Sequence, residues 1–309
     1  MKKTLLFIGA ALCICWGNDH NSLYGDYNKN DITDNTISVA FDRFGDMYPS
    51  FDIDNTTLKY SGAALEYLFV NNAKFRNDLA TTYGANNTSF FRAQRSIVTD
   101  KAKKINAAMS SGGYGSITFI MVGYNNSDDD AYPKLRSLEH KINTVLEANH
   151  QPKTLVVKVF WDGLFDDFQA LRYSNPPSYL AGIGMRELLS QVDATYNINM
   201  ISHSLGANLI CETLFNQLSK VTGGDVKDSL FSYCNNPLFP TPKQKITVAI
   251  VAPAIPGKNT FIDYFDRNPA YIAGHDNYKI IVGFNSHDEV LRKILGGELI
   301  YHLSATSLG

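Results

Sequence analysis

The chain has 309 residues, 44% of them apolar and 19% charged, with 28 basic against 30 acidic side chains and a formal net charge of −2. That is enough apolar material for one sizeable core, and the balanced charge without a basic block excludes the electrostatic footprint of a nucleic-acid binder or a polybasic membrane-surface protein. The 22 Gly and 11 Pro show no period and 4 Cys are too few for a disulfide scaffold, so collagen-like, disordered and disulfide-rich classes fall away.

Met1-Lys2-Lys3 and the apolar run Thr4 to Trp16 form a basic start and a hydrophobic stretch too short to span a bilayer. Polar Asn18 to Ser22 follows at once. The segment 1–17 is therefore predicted to be a signal peptide, cleaved between Ala11 and Asn18. Residues 18–35, rich in Asn, Asp and Tyr, read as a flexible leader, and 36–309 as the folded domain. Cys13 and Cys15 leave a lipid anchor open, although Leu12 and Ile14 stand before them where a small residue is usual. An exported chain permits a disulfide between Cys211 and Cys234 without implying one. Cys211 falls in a predicted buried helix, where a free thiol behaves as a small apolar group.

Ile37, Val39 and Phe41 alternate with Ser38, Ala40 and Asp42, which predicts a strand closed by Gly45 and Pro49. Apolar residues at three- and four-residue steps predict helices over 62–83 and 89–110, the second ending at Gly112-Gly113. From Ser116 onward short Val/Ile-rich runs alternate with helical patterns, the signature of strand-helix-strand units and a parallel sheet covered on both faces. The predicted strands are 116–122, 153–160, 197–202, 245–251 and 278–284; the helices are 128–149, 177–194, 205–220 and 256–267. Residues 221–244, with Gly223-Gly224 and three Pro, interrupt this rhythm as a surface insertion or lid.

The sharpest chemical feature is Ser202-His203-Ser204-Leu205-Gly206, between a predicted strand and a predicted helix. A nucleophilic Ser needs such a turn, because its hydroxyl must project above the sheet while the helix N-terminus aims amides at the developing oxyanion. Strand and helix approach closely there, so small residues are needed two before and two after. Gly206 meets that need, and Ser202 replaces the usual first Gly. The plainer alternative is an ordinary Ser helix cap.

With this elbow the sequence resembles the alpha/beta-hydrolase superfamily, over roughly residues 116–290. Val122-Gly123-Tyr124-Asn125-Asn126, after the strand from Ile117, is similar to the His-Gly-Tyr-Asn-Asn oxyanion loop of a bacterial branch, with Val122 where His is usual. Ile37 to Arg43 also looks like the family's first strand. The resemblance implies an α/β fold, a mostly parallel sheet with helices on both faces, and an oxyanion hole made by the amides of Tyr124 and Leu205. It also implies a catalytic acid in Phe284-Asn285-Ser286-His287-Asp288, with Asp288 in the acid's place and Glu289 as the nearest substitute. The base follows the acid in this superfamily, and His302 is the only His after Asp288. A short strand over Leu299 to Leu303, with the true base beyond it, is the competing reading. Ser127-Asp128-Asp129-Asp130 reads as a helix N-cap with acids in the first turn.

The expectation is a serine hydrolase, esterase- or lipase-like, acting on a small-molecule or lipid-like acyl substrate through an acyl-enzyme. The alternatives are an inactive protein that kept the fold, and an acyltransferase. No cofactor or metal is expected, since no His pair has metal-site spacing such as H-E-x-x-H, and no transmembrane segment is expected once the signal is removed. Trp161-Asp162-Gly163 is placed at the same sheet edge as Ser204, where Trp161 either lines the pocket or, more plainly, packs. Asn125-Asn126-Ser127 fits the glycosylation acceptor pattern inside the oxyanion loop, where a glycan would obstruct substrate. The expected compartment is accordingly bacterial: periplasm, outer envelope or secreted.

Overall fold

The computed structural model describes residues 37–51, 53, 64–84, 89–123, 128–162, 170–216, 243–253 and 269–283. The signal and leader segments, the helix expected at 256–267, and the insertion at 221–244 except its last two residues lie outside them. The strands are β1 (Ile37–Phe41), β2 (Ser116–Met121), β3 (Thr154–Trp161), β4 (Ile198–His203), β5 (Ile246–Val251) and β6 (Tyr278–Gly283). They pair in the order β1-β3-β2-β4-β5-β6, every pair parallel, so the chain has an α/β fold.

The helices are α1 (Leu65–Asn71), α2 (Ala73–Tyr83), α3 (Phe90–Gly112), α4 (Asp128–Ala148), α5 (Ala170–Gln191), α6 (Gly206–Phe215) and the short α7 (Pro269–Ala273). Among the described residues no helix is long and apolar enough to cross a membrane. The helix expected over 62–83 is two helices. Asn72 leaves the helical region between them and its side chain accepts from the Phe75 N–H, so a residue that favours capping starts a new helix instead of continuing the old one. The helix expected from 177 begins at Ala170 and runs through Pro176 and Pro177, which leave it short of two backbone donors. The helix expected to reach 220 stops at Phe215, because Asn216 turns left-handed at φ +51° and its N–H closes on the Glu212 carbonyl.

Side-chain alternation tells which helix covers which face. Lys158 of β3 has no solvent exposure; its ammonium pairs with Glu139 of α4 at 2.9 Å and stands 4.6 Å from the centroid of the Tyr132 ring, also on α4. Phe41 has the opposite parity, since Ser38 is the register partner of Lys158, and a Cβ on Gly184 of α5 would touch its ring at 2.7 Å. Helices α4 and α5 therefore lie on opposite faces, as right-handed crossovers leaving β2 leftward and β3 rightward require. All eight residues of β3 are buried, but β4 and β5 alternate, with Val251 50% exposed and Ile281 of β6 48% exposed. Among the described residues β3 is thus buried on both faces, while β4 to β6 show alternating exposure.

The left edge is anchored by Asp42, a fully buried carboxylate just after β1 that accepts from the N–H groups of Phe44, Asp46 and Leu65 and so ties α1 to the strand end. Burial pushes its pKa from the ordinary 3.8 up to about 7, against those three amides, which hold it down. Asp46 is likewise raised, by burial and by Asp42, Glu66 and Glu187. A carboxyl whose folded pKa is raised contributes stability that is complete below its unfolded pKa and lost as pH rises through the folded one. Asp42→Asn is thus expected to gain on the wild type between pH 4 and pH 8, by a few kcal/mol at most. Denaturant unfolding across that range checks it, and a pH-independent difference between the two proteins would contradict it.

Candidate active site

The order of the strands reverses between β2 and β4: the chain leaves β2 toward β3 on one side, and returns to β4 on the other. In open parallel sheets the crevice at the carboxyl ends of such strands is where helices part and ligands enter. The residues just beyond those two ends are Val122 and Gly123 after β2, and Ser204 after β4.

Ser204 has φ +53°, a left-handed backbone that costs a residue with a Cβ roughly 1–2 kcal/mol. Its surroundings hold it there. The Ser204 N–H donates to the Val251 carbonyl at 3.1 Å, and its own carbonyl accepts from the Ala207 N–H at 3.1 Å. The end of β5 bends in the same way, with Ala252 at φ +45° donating to the Gly283 carbonyl at 2.7 Å. Leu205 follows at φ −64° as the residue entering α6, and among the described residues no backbone carbonyl takes its N–H. That amide stands at the N-terminus of a ten-residue helix whose residues are all buried, where it is electropositive.

Two glycines let three chain segments meet at this turn. A Cβ on Gly206 would stand 2.7 Å from the Val122 carbonyl oxygen and 3.2 Å from the Ser202 Cβ. A Cβ on Gly123 would stand 3.1 Å from the His203 carbonyl oxygen and 3.2 Å from the Ser204 Cβ. The departure at Ser202 has a physical account here: with Gly at 206, the Ser202 Cβ has room, and its hydroxyl is buried without a hydrogen-bond partner among the described residues. His203 is exposed, with its Nδ1 3.2 Å from that same Gly123 Cβ position.

On the other side of β2, Trp161 does more than pack. Its indole N–H donates to the Val122 carbonyl at 2.9 Å, and the ring is 1% exposed. Asp162, next in the chain, is clamped by its N–H to the Phe41 carbonyl at 3.1 Å and by a buried ion pair to Arg43 at 2.9 Å. Sequence reasoning placed Trp161 at this edge but did not find the bond, which spans 39 residues and depends on β2 and β3 being neighbours.

Of the residues singled out from sequence, Ser204, Leu205, Gly123 and Gly206 come together at one turn. Tyr124, Asn125, Asn126, Asp288, Glu289 and His302 lie outside the described residues, as do Cys13, Cys15 and Cys234. Cys211 is a free buried thiol whose pKa is raised by burial and by Glu212, which leaves it inert as a nucleophile. Among the described residues no group of three His, Cys, Asp or Glu is placed to hold a metal ion. The chain matches no protein-family model, no curated protein and no solved structure.

Proposed function

We propose that this chain is a serine hydrolase of the alpha/beta-hydrolase type, acting on an acyl ester of a small molecule or lipid. The observation that carries the reading is Ser204 itself: a non-glycine residue at φ +53°, on a strand-to-helix turn, at the point where the strand order reverses. An ordinary helix cap is a weaker account, because the residue entering α6 is Leu205 and no side-chain hydroxyl caps that helix. The acyl-ester chemistry comes from the resemblance of the elbow and of Gly123-Tyr124-Asn125-Asn126 to that superfamily.

In this mechanism the Ser204 hydroxyl attacks the acyl carbonyl while a base takes its proton. The base is assigned to His302, oriented by Asp288. The amides of Leu205 and Tyr124 hold the oxyanion of the tetrahedral intermediate, the alcohol leaves with the proton from the base, and water then releases the acyl group. Val122 in place of His leaves this hole chemically intact, since its donors are backbone N–H groups.

A fluorophosphonate probe is expected to label the full chain at Ser204, and Ser204→Ala to abolish the label. Mass spectrometry of the labelled peptide locates the adduct. An adduct on another residue would move the nucleophile, and a folded protein that takes no label would favour a fold that has given up catalysis.

A further inference from the structure

We infer that Trp161 is a positioning residue for the Val122–Gly123 peptide that lies against Ser204, an assignment that rests on the hydrolase reading of Ser204. The indole N–H takes the Val122 carbonyl at 2.9 Å in a site where Val122 is 6% and Trp161 1% exposed, so water does not compete for the bond. The described chain has no cis peptide, and in a trans peptide N–H and C=O point opposite ways. Fixing the Val122 carbonyl toward Trp161 therefore fixes the Gly123 N–H away from it.

The orientation matters because this peptide lies against the nucleophile. A Cβ on Gly123 would be 3.2 Å from the Ser204 Cβ, and the Val122 oxygen lies 2.7 Å from the position a Cβ on Gly206 would occupy. Gly123 has no Cβ to resist rotation of its backbone, so a flip of the Val122–Gly123 peptide meets little intrinsic barrier. A flipped peptide would take the Val122 oxygen out of the gap that Gly206 leaves for it and would shift Gly123 from its place against Ser204, so the reacting side chain would lose the surface that positions it. The indole bond holds the productive orientation. Trp161 is itself fixed before it acts: its strand is the register partner of β1 through Phe41, and Asp162 is pinned by Arg43 and by the Phe41 carbonyl.

The test replaces Trp161 with 3-benzothienyl-alanine, which keeps the ring's size and removes the N–H, and with Phe as a simpler second variant. With a short-chain p-nitrophenyl ester, kcat is expected to fall about tenfold or more with KM within about twofold, and fluorophosphonate labelling to slow in proportion. A purely structural Trp161 would lower the unfolding midpoint and leave kcat per folded molecule unchanged, and that outcome would overturn the proposal. A crystal structure of the benzothienyl protein supplies a readout independent of activity. The Val122–Gly123 peptide is expected to rotate or split between two orientations, and a peptide that stays in place would overturn the proposal too. Failure of the wild type to turn over or to label is a different result, which removes the hydrolase reading and with it any positioning role.

Discussion

Ser204→Gly is expected to yield a protein that is more stable than the wild type and catalytically dead. At φ +53° the Ser204 Cβ is strained, and Gly relieves the strain; after its larger unfolded-state entropy is subtracted, the gain is about 0.5–1 kcal/mol. Ser204→Ala keeps the Cβ and should gain nothing. Both variants lose the attacking oxygen, so turnover of an activated ester should fall by about 10³-fold or more in each. The pair of variants separates two claims that one variant would merge. Equal loss of activity with a higher denaturation midpoint for Gly alone means that backbone strain is stored at the reacting residue. A Gly variant no more stable than Ala would remove the strain, and an Ala variant with near-wild-type turnover would remove the nucleophile.

The strand-to-helix turn at Ser204 was legible because its requirements are local. A buried parallel strand reads as Ile198 to Ile201, a helix must start within two residues, and Gly206 supplies the space that the Val122 carbonyl occupies. The central strands were legible for the same reason: eight consecutive buried residues in β3 leave a short Val- and aromatic-rich run, interrupted by Lys158, that shows no helical period. What the sequence withheld is pairwise and distant. Nothing in Ile37 to Phe41 says that this strand lies outside β3 instead of beside β2, yet that order is what brings Arg43 to Asp162. The indole bond of Trp161 needed the β2–β3 register. The break at Asn72 was missed because an Asn inside an apolar period reads as one weak helix residue until its side chain is seen to accept from Phe75.

The helix that follows Ser204 is held at its other end by a buried ion pair, and breaking that pair is expected to cost much of the stability. Arg186 of α5 is 3% and Glu212 of α6 0% exposed, and their side chains meet at 2.6 Å. The same guanidinium donates to the Thr213 carbonyl at 3.1 Å and to the Glu212 carbonyl, so it also caps the last turn of α6, where a cation suits the helix dipole. The two helices pack closely at this point: a Cβ on Gly182 would stand 2.6 Å from the Glu212 Cβ. Glu212→Leu removes the carboxylate that faces the guanidinium and Arg186→Met removes the guanidinium that faces the carboxylate; a buried charge that loses its ionic partner is expected to cost about 3–5 kcal/mol. The double variant Arg186→Met/Glu212→Leu strands neither charge and should be more stable than either single one, short of the wild type by about 1 kcal/mol for the lost cap. Denaturant unfolding of the four proteins closes the cycle, and losses that simply add would show that the two residues do not act as a pair. Glu212 lies six residues along α6 from Gly206, about 9 Å at the helical rise, on the far side of a rigid buried helix. Fluorophosphonate labelling per folded molecule should accordingly be unchanged in all four, which would place the pair in the support of the elbow and outside its chemistry.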